Sequence, residues 1–115
     1  MPSTFSPLLP FLTLILLAHF SGGVSCSDWC VASNEAPDSV IQKALDWVCL
    51  YGSACNRIKV GLPCYEAGSL RAVATVAFNQ YWQQVKQGGT HCDLFGAATL
   101  VHTDPSRENC TIPCV

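Results

Sequence analysis

Tyr65-Glu66, Arg71, Asn79, Tyr81-Trp82-Gln83 and Asp104 bring aromatic rings and forked polar groups together in one part of the chain. Sugars present apolar C–H faces with hydroxyl rims. A shallow aromatic surface edged by carboxylate, amide and guanidinium groups suits such rims, because these groups donate and accept in planar pairs. On composition alone, core packing and solvated surface account for the same residues equally well.

Catalytic chemistry finds less support. Glycoside hydrolysis needs an acid and a second carboxylate flanking the bond. Glu66, Asp93, Asp104 and Glu108 are available, but a chain of this size carries spare carboxylates in any case. No Gly-x-Ser-x-Gly, His-Glu-x-x-His or Cys/His nucleophile signature is present. A domain of about 90 residues also leaves little room for a deep, dry cleft. The spacings Cys49-x5-Cys55, Cys55-x8-Cys64 and Cys110-x3-Cys114 do not reproduce paired zinc ligands. Only His91 and His102 remain if His19 is removed with a leader, so neither metal nor cofactor is expected. Secreted eight-cysteine lipid carriers use an adjacent Cys-Cys and a Cys-x-Cys, and this chain has neither.

Two helices must position these groups. Pro63 and Cys64 precede the longer one, Gly68-Ser69 mark its entry and Gly88-Gly89 its end, which predicts a helix over 69–87. Leu70, Ala74, Ala77, Phe78, Tyr81 and Val85 share one face at about 100° per residue. Arg71, Thr75, Asn79, Gln83 and Lys86 lie on the opposite, polar face, with Trp82 at its edge close to Arg71. An earlier helix over 37–51 is predicted from Pro37, Asp38, the repeat Ile41, Ala44, Leu45, Val48, Cys49, and a stop at Gly52. Trp47 beside that stripe reads as core. Residues 27–36 read as an extended lead-in anchored by Trp29-Cys30. Short strands are expected at 97–101 and 109–112, with a turn at Asp104-Pro105-Ser106.

The first charged side chain is Asp28, and before it an apolar run, residues 8–18, leads to Ser21-Gly22-Gly23-Val24-Ser25. That is the form of a secretory signal peptide over 1–25, and the run is too short and unflanked for a membrane span. Cleavage after Ser25 leaves all eight cysteines in a domain over 26–115. An even count in a small secreted domain reads as a disulfide framework, with 105 possible pairings. Cys49 and Cys55 are close enough to pair across the Gly52-Ser53 turn. The net charge of −2, without a basic run, argues against nucleic acid. Nothing near Cys114-Val115 resembles a lipid-anchor signal, so the mature product is expected to be free of the membrane and monomeric. Asn109-Cys110-Thr111 is a glycosylation sequon.

Several short motifs occur in order: Trp29-Cys30-Val31-Ala32, Ala44-Leu45-Asp46-Trp47-Val48-Cys49, Cys64-Tyr65-Glu66, Leu70-Arg71-Ala72, Ala77-Phe78-Asn79-Gln80-Tyr81-Trp82-Gln83, and Cys92-Asp93 with Phe95-Gly96 and Ala98-Thr99. This series resembles the plant β-1,3-glucan (callose) binding module, carbohydrate-binding module family 43. The resemblance implies a small disulfide-rich α+β domain, with two helices packed at an angle, a short antiparallel sheet and long coil segments. It also implies the pairs Cys30–Cys92, Cys49–Cys55 and Cys64–Cys110. Cys26 and Cys114 flank that pattern, which predicts a further bridge between them. The family binds linear 1,3-linked glucan without cleaving it. Ala67-Gly68 replaces the Pro-Asn that many members carry after Cys-Tyr-Glu, and Tyr81-Trp82 replaces a common Tyr-Tyr.

The expectation is a secreted, non-catalytic module bound to β-1,3-glucan in the plant cell wall. Tyr65 and Trp82, with Tyr81, would supply ring surfaces, while Glu66, Arg71, Asn79 and Gln83 would bond the hydroxyls. The competing reading is a signalling or structural-interaction protein on the same scaffold that has lost sugar binding.

Overall fold

The computed structural model describes residues 26–66 and 69–115; the leader assigned to 1–25 and the Ala67-Gly68 step lie outside them. The element order is strand β1 (Trp29–Ala32), helix α1 (Asp38–Val48), helix α2 (Leu70–Val85) and strand β2 (Ala98–Val101). Short 3₁₀ turns occupy Lys86–Gly88 and Leu94–Gly96. This is a small disulfide-rich α+β domain.

Helix α1 buries Ile41, Ala44, Leu45 and Val48, the i, i+3, i+4, i+7 stripe read from the sequence. Asp38 stands in its first turn, where a carboxylate meets the positive end of the helix dipole. It ends at Val48, three residues before the predicted end at 51. Leu50 N–H bonds Trp47 O and Tyr51 N–H bonds Val48 O, so the chain tightens into turns there. The Cys49–Cys55 disulfide closes those turns, with the Cα atoms 5.2 Å apart. Helix α2 ends as its glycine pair predicts, because Gly89 takes a left-handed φ of 89° that other residues avoid.

The sheet differs from expectation in one strand. β2 pairs antiparallel with β1, in the register Trp29↔Val101, Cys30↔Leu100, Val31↔Thr99 and Ala32↔Ala98. The lead-in therefore contains the partner strand. Among the described residues the strand expected at 109–112 does not form, and its only ladder contact there is an isolated bridge between Arg107 and Cys110. The groups that a strand would need are taken elsewhere. Arg107 and Cys110 exchange both backbone bonds in a tight turn, Ile112 N–H donates to Ser106 Oγ, and Ile112 O accepts from Trp29 Nε1 at 2.9 Å. Pro113 then has no N–H to offer.

The other edge of β1 is covered by α2 instead of a third strand. Ala32 N–H donates to Thr75 Oγ1 at 3.0 Å, and Cys30 N–H donates to Asn79 Oδ1 at 3.1 Å. Gln83 Nε2 donates to Asp28 O at 2.9 Å. The match is geometric. Four helical residues rise about 6 Å, and two strand residues rise about 6.6 Å. Side chains at i, i+4 and i+8 of an antiparallel helix thus meet alternate backbone groups of an extended strand. Arg71 continues the row by donating to Ala36 O. An exposed strand edge invites pairing with other chains, and this row of side chains occupies it.

Helix α2 is consequently buried on two sides. Ala74, Ala77, Phe78 and Tyr81 pack with Ile41, Ala44, Leu45 and Val48 of α1 in the main core. Val76 joins Trp29, Cys64, Cys110 and Ile112 in a second cluster on the other side. Further disulfides tie these layers: Cys30–Cys92, Cys64–Cys110 and Cys26–Cys114, with Cα separations of 5.7, 4.8 and 5.6 Å. Each bridge contributes on the order of 2–4 kcal/mol, chiefly by restricting the unfolded chain, which a core of this size needs. Among the described residues no helix is long and apolar enough to cross a membrane.

Candidate functional site

The side chains singled out in the sequence separate into an inner and an outer group. Asn79 is 0% exposed. Its Oδ1 accepts from Cys30 N–H and Gln83 Nε2, and its Nδ2 donates to Pro113 O at 2.6 Å. Gln83 is also buried, and its Oε1 accepts from Lys86 Nζ at 2.6 Å and from Val115 N–H at 3.0 Å. The row 71, 75, 79, 83 and 86 is therefore not a solvent face. It binds the edge of β1 on one flank and the 113–115 tail on the other. Its four-residue period was legible in the sequence, but the backbone groups it serves were not.

Trp82 is likewise inside, at 8% exposure, with Nε1 donating to Thr90 O at 3.1 Å. The Lys86 ammonium sits 5.1 Å from its ring centroid, and the ring's remaining edge lines a small cleft beside His91 and Thr99. Burial follows from position. Trp82 sits one residue after Tyr81 on a helix whose middle is enclosed from both sides.

Three of the predicted residues stay near the surface at the start of α2. Tyr65 is half-buried and shares a shallow depression with Glu66, Ser69 and Gln42. Glu66 forms an ion pair with Arg107, a residue the sequence reading did not single out. Arg71 pairs with Asp38 as well as bonding Ala36 O. Arg71 and Arg107 in turn line a groove of about 420 Å³, with Asn34, Thr75, Thr103 and Asp104 on its polar walls. Arg107 has one buried terminal nitrogen without a partner among the described residues. Hydrogen bonds from Ser106, first its hydroxyl and then its backbone N–H at 2.8 Å, hold the Asp104 carboxyl below the usual aspartate range. A general acid requires the opposite shift. The groove thus sets fixed charges and hydroxyls suited to hydrogen bonding beside an apolar lining from Val31, Val101, Pro105 and Ile112.

A second feature lies at the other end of α2. Trp47 at the end of α1 and Tyr51 in the turns after it have ring centroids 4.7 Å apart. Tyr81 of α2 closes beneath them at 5.4 Å from Trp47 and 5.2 Å from Tyr51. Phe95, from the turn before β2, stands edge-on to Trp47 at 5.5 Å and 88°. Burial, and secondarily the nearby Tyr51, raise the Tyr81 phenol above its ordinary value. Tyr51 is 45% exposed and Phe95 71% exposed, so the cluster opens to solvent. The i, i+4 spacing of Trp47 and Tyr51 was readable in the sequence; the approach of Phe95 depended on the fold.

Among the described residues no group of three or more His, Cys, Asp or Glu is placed to hold a metal ion, and all eight cysteines are paired. Asn109 of the sequon is exposed, beside the buried Cys110.

Residues 28–99 match the family model described as the X8 domain. That stretch takes in β1, both helices, the first half of β2 and the Cys30–Cys92 and Cys49–Cys55 bridges. The chain belongs to the X8 family. The X8 domain is carbohydrate-binding module family 43, as the motif series implied. It is 35% identical over 108 residues to plasmodesmata callose-binding protein 2 of Arabidopsis thaliana, covering 94% of this chain and 54% of that protein. It is 33% identical over 102 residues to plasmodesmata callose-binding protein 1 of the same plant, covering 89% and 51%. Glucan endo-1,3-beta-glucosidase 7 of Arabidopsis thaliana matches at 37% over 93 residues, 81% of this chain and 18% of the enzyme. The X8 chain thus spans about half the length of the callose-binding relatives and a small part of the glucosidase. No solved structure matches it.

Proposed function

We propose that this X8 domain binds β-1,3-glucan without cleaving it, as a secreted module of the plant cell wall. The observation that carries the reading is the match to a callose-binding relative across 94% of the chain. The chemistry of the described surface supports it. Glu66 is committed to Arg107, Asp104 is held ionised by Ser106, and the grooves are shallow, which suits holding a polymer better than protonating a leaving group. Tyr65, Glu66 and Arg71, joined by Arg107 and Asp104, offer planar donors and acceptors for sugar hydroxyls. The leader over 1–25 is removed on secretion, Asn109 carries a glycan, and the domain acts as a monomer outside the cell.

The decisive experiment incubates the secreted protein with insoluble β-1,3-glucan and with cellulose, then assays both the bound fraction and released reducing sugar. Retention on the 1,3-glucan without sugar release is expected. Release would make the module an enzyme, and failure to bind would remove the reading. One observation favours a second reading, a protein-interaction role on this scaffold. Leu50 and Val60, in the turns between the helices, are each 80% exposed. A properly folded protein that ignores a soluble 1,3-glucan oligomer would favour that role.

A further inference from the structure

We propose that the glucan stacks on the ring cluster of Trp47, Tyr51 and Phe95, and that the shape of this cluster selects 1,3-linked over 1,4-linked chains. The inference rests on the glucan-binding reading and names the surface and linkage preference within it. Three separate chain segments converge here: the end of α1 with the turn after it, α2 through Tyr81, and the turn before β2. Trp82, which the sequence favoured as the platform, is enclosed; besides the half-buried Tyr65, the rings open to solvent among the described residues are those around Trp47.

The way Phe95 is presented is unusual. Leu94 and Phe95 both take left-handed backbone angles, φ 45° and 61°, a region that branched and bulky L-residues avoid. Leu94 is buried in the main core, and Gly96 continues the left-handed run at 85°. A chain that turns this way anchors Leu94 inward and holds Phe95 out, beside Trp47. Backbone held in such a region persists where the surrounding structure determines it, here through the Cys30–Cys92 bridge and the Ala98 N–H to Asp93 O bond.

The occupant follows from the chemistry of the rings. None of the side chains in the cluster carries a charge, which fits an uncharged polymer. The partly exposed Tyr51 phenol gives the apolar surface a hydroxyl able to donate and accept. Phe95 stands at 88° to Trp47, so the surface is a corner and not a flat plate. A 1,4-linked glucan leaves each ring from opposite positions and runs as a straight ribbon, which prefers a flat row of rings. A β-1,3-linked chain leaves from positions that are not opposite and turns at every residue. A pyranose on one wall of the corner then directs its neighbour past the other wall.

The test uses the full chain expressed through the secretory pathway. Binding is measured on insoluble β-1,3-glucan and by titration with soluble 1,3-linked and 1,4-linked gluco-oligosaccharides. Phe95→Ala and Tyr51→Ala should each weaken 1,3-glucan binding about tenfold, the equivalent of one aromatic contact. Phe95→Leu keeps apolar bulk but lacks a flat face, and should lose as much even if the alanine variant packs poorly. Trp29 and Trp82 are buried with their ring nitrogens bonded, so the oligosaccharide-induced change in tryptophan emission should come from Trp47 and disappear in Trp47→Phe. The 1,4-linked oligosaccharide should produce no such change. Variants that stay folded by circular dichroism and hold 1,3-glucan as tightly as the parent would overturn the inference, while leaving glucan binding to the Arg71–Arg107 groove. Loss of binding by the parent itself would overturn both.

Discussion

Replacing Asn79 by alanine should be among the most destabilising single changes outside the disulfides. The side chain is fully buried and bridges two segments, accepting from Cys30 N–H at 3.1 Å and donating to Pro113 O at 2.6 Å. Alanine leaves the buried Cys30 N–H without a partner, while the carbonyl of the exposed Pro113 is left to water. Gln83 loses one of its two acceptors but keeps Asp28 O. One orphaned buried group costs about 1–3 kcal/mol, so Asn79→Ala should cost about that much. That is a large fraction of the ~5–15 kcal/mol that holds a typical domain together. Guanidinium titration with the disulfides intact, followed by circular dichroism, measures it directly. Asn79→Asp provides a signed control. A carboxyl at this site stays neutral in the native state to donate to Pro113 O, so its folded pKa lies above the unfolded one. The native state then binds the extra proton, and the variant should be most stable below about pH 4 and lose stability as pH rises. A cost of less than about 0.5 kcal/mol for Asn79→Ala, well below one orphaned group, would refute the edge-covering role. So would loss of glucan binding with stability unchanged, which would restore Asn79 as a sugar contact.

Three other outcomes are expected. The double variant Cys26→Ser with Cys114→Ser removes the bridge that ties the tail to the start of the chain, and should cost on the order of 2–4 kcal/mol; hydrogen exchange should rise first at 112–115, since the remaining bridges do not involve the tail. Glu66→Gln breaks the ion pair with Arg107, whose side chains are 46% and 32% exposed, and should change stability by no more than about 1 kcal/mol; thermal melts at low and high salt check it. Asp104→Asn removes a carboxyl whose folded pKa is lowered by Ser106, so the parent's contribution is present above the unfolded value and lost as pH falls through the folded one. The effect is small because the group is exposed, and it should show as a flatter acid limb in the variant's melting profile.

How much of this was readable from the residues depends on whether the controlling physics is local. Periodicity placed both helices, because burial of Ile41, Ala44, Leu45 and Val48 on one stripe is a property of the segment itself. Gly89 marked the end of α2 for the same reason. The Cys49–Cys55 closure was within reach of spacing, whereas Cys30–Cys92 and Cys64–Cys110 were suggested by family likeness and Cys26–Cys114 by lying just beyond that pattern at either end, since eight cysteines alone leave every pairing open. The polar row Arg71, Thr75, Asn79, Gln83 was visible as a row. Its direction was not, because the demand for it comes from the free edge of β1, and that edge exists only once residues 29–32 pair with 98–101.

The same distinction applies to the aromatics. A helical wheel put Trp82 at the margin of a polar face, but that face turned inward against the strand, and the tryptophan went with it. Trp47 packs on the core with one side, yet gains its outer neighbours from Tyr51 and Phe95, the latter nearly fifty residues away in sequence. Side-chain type and period are written along the chain. Which of two opposed faces meets solvent is settled by long-range pairing, because each buried backbone group must find a partner and the helix that supplies it can no longer face outward.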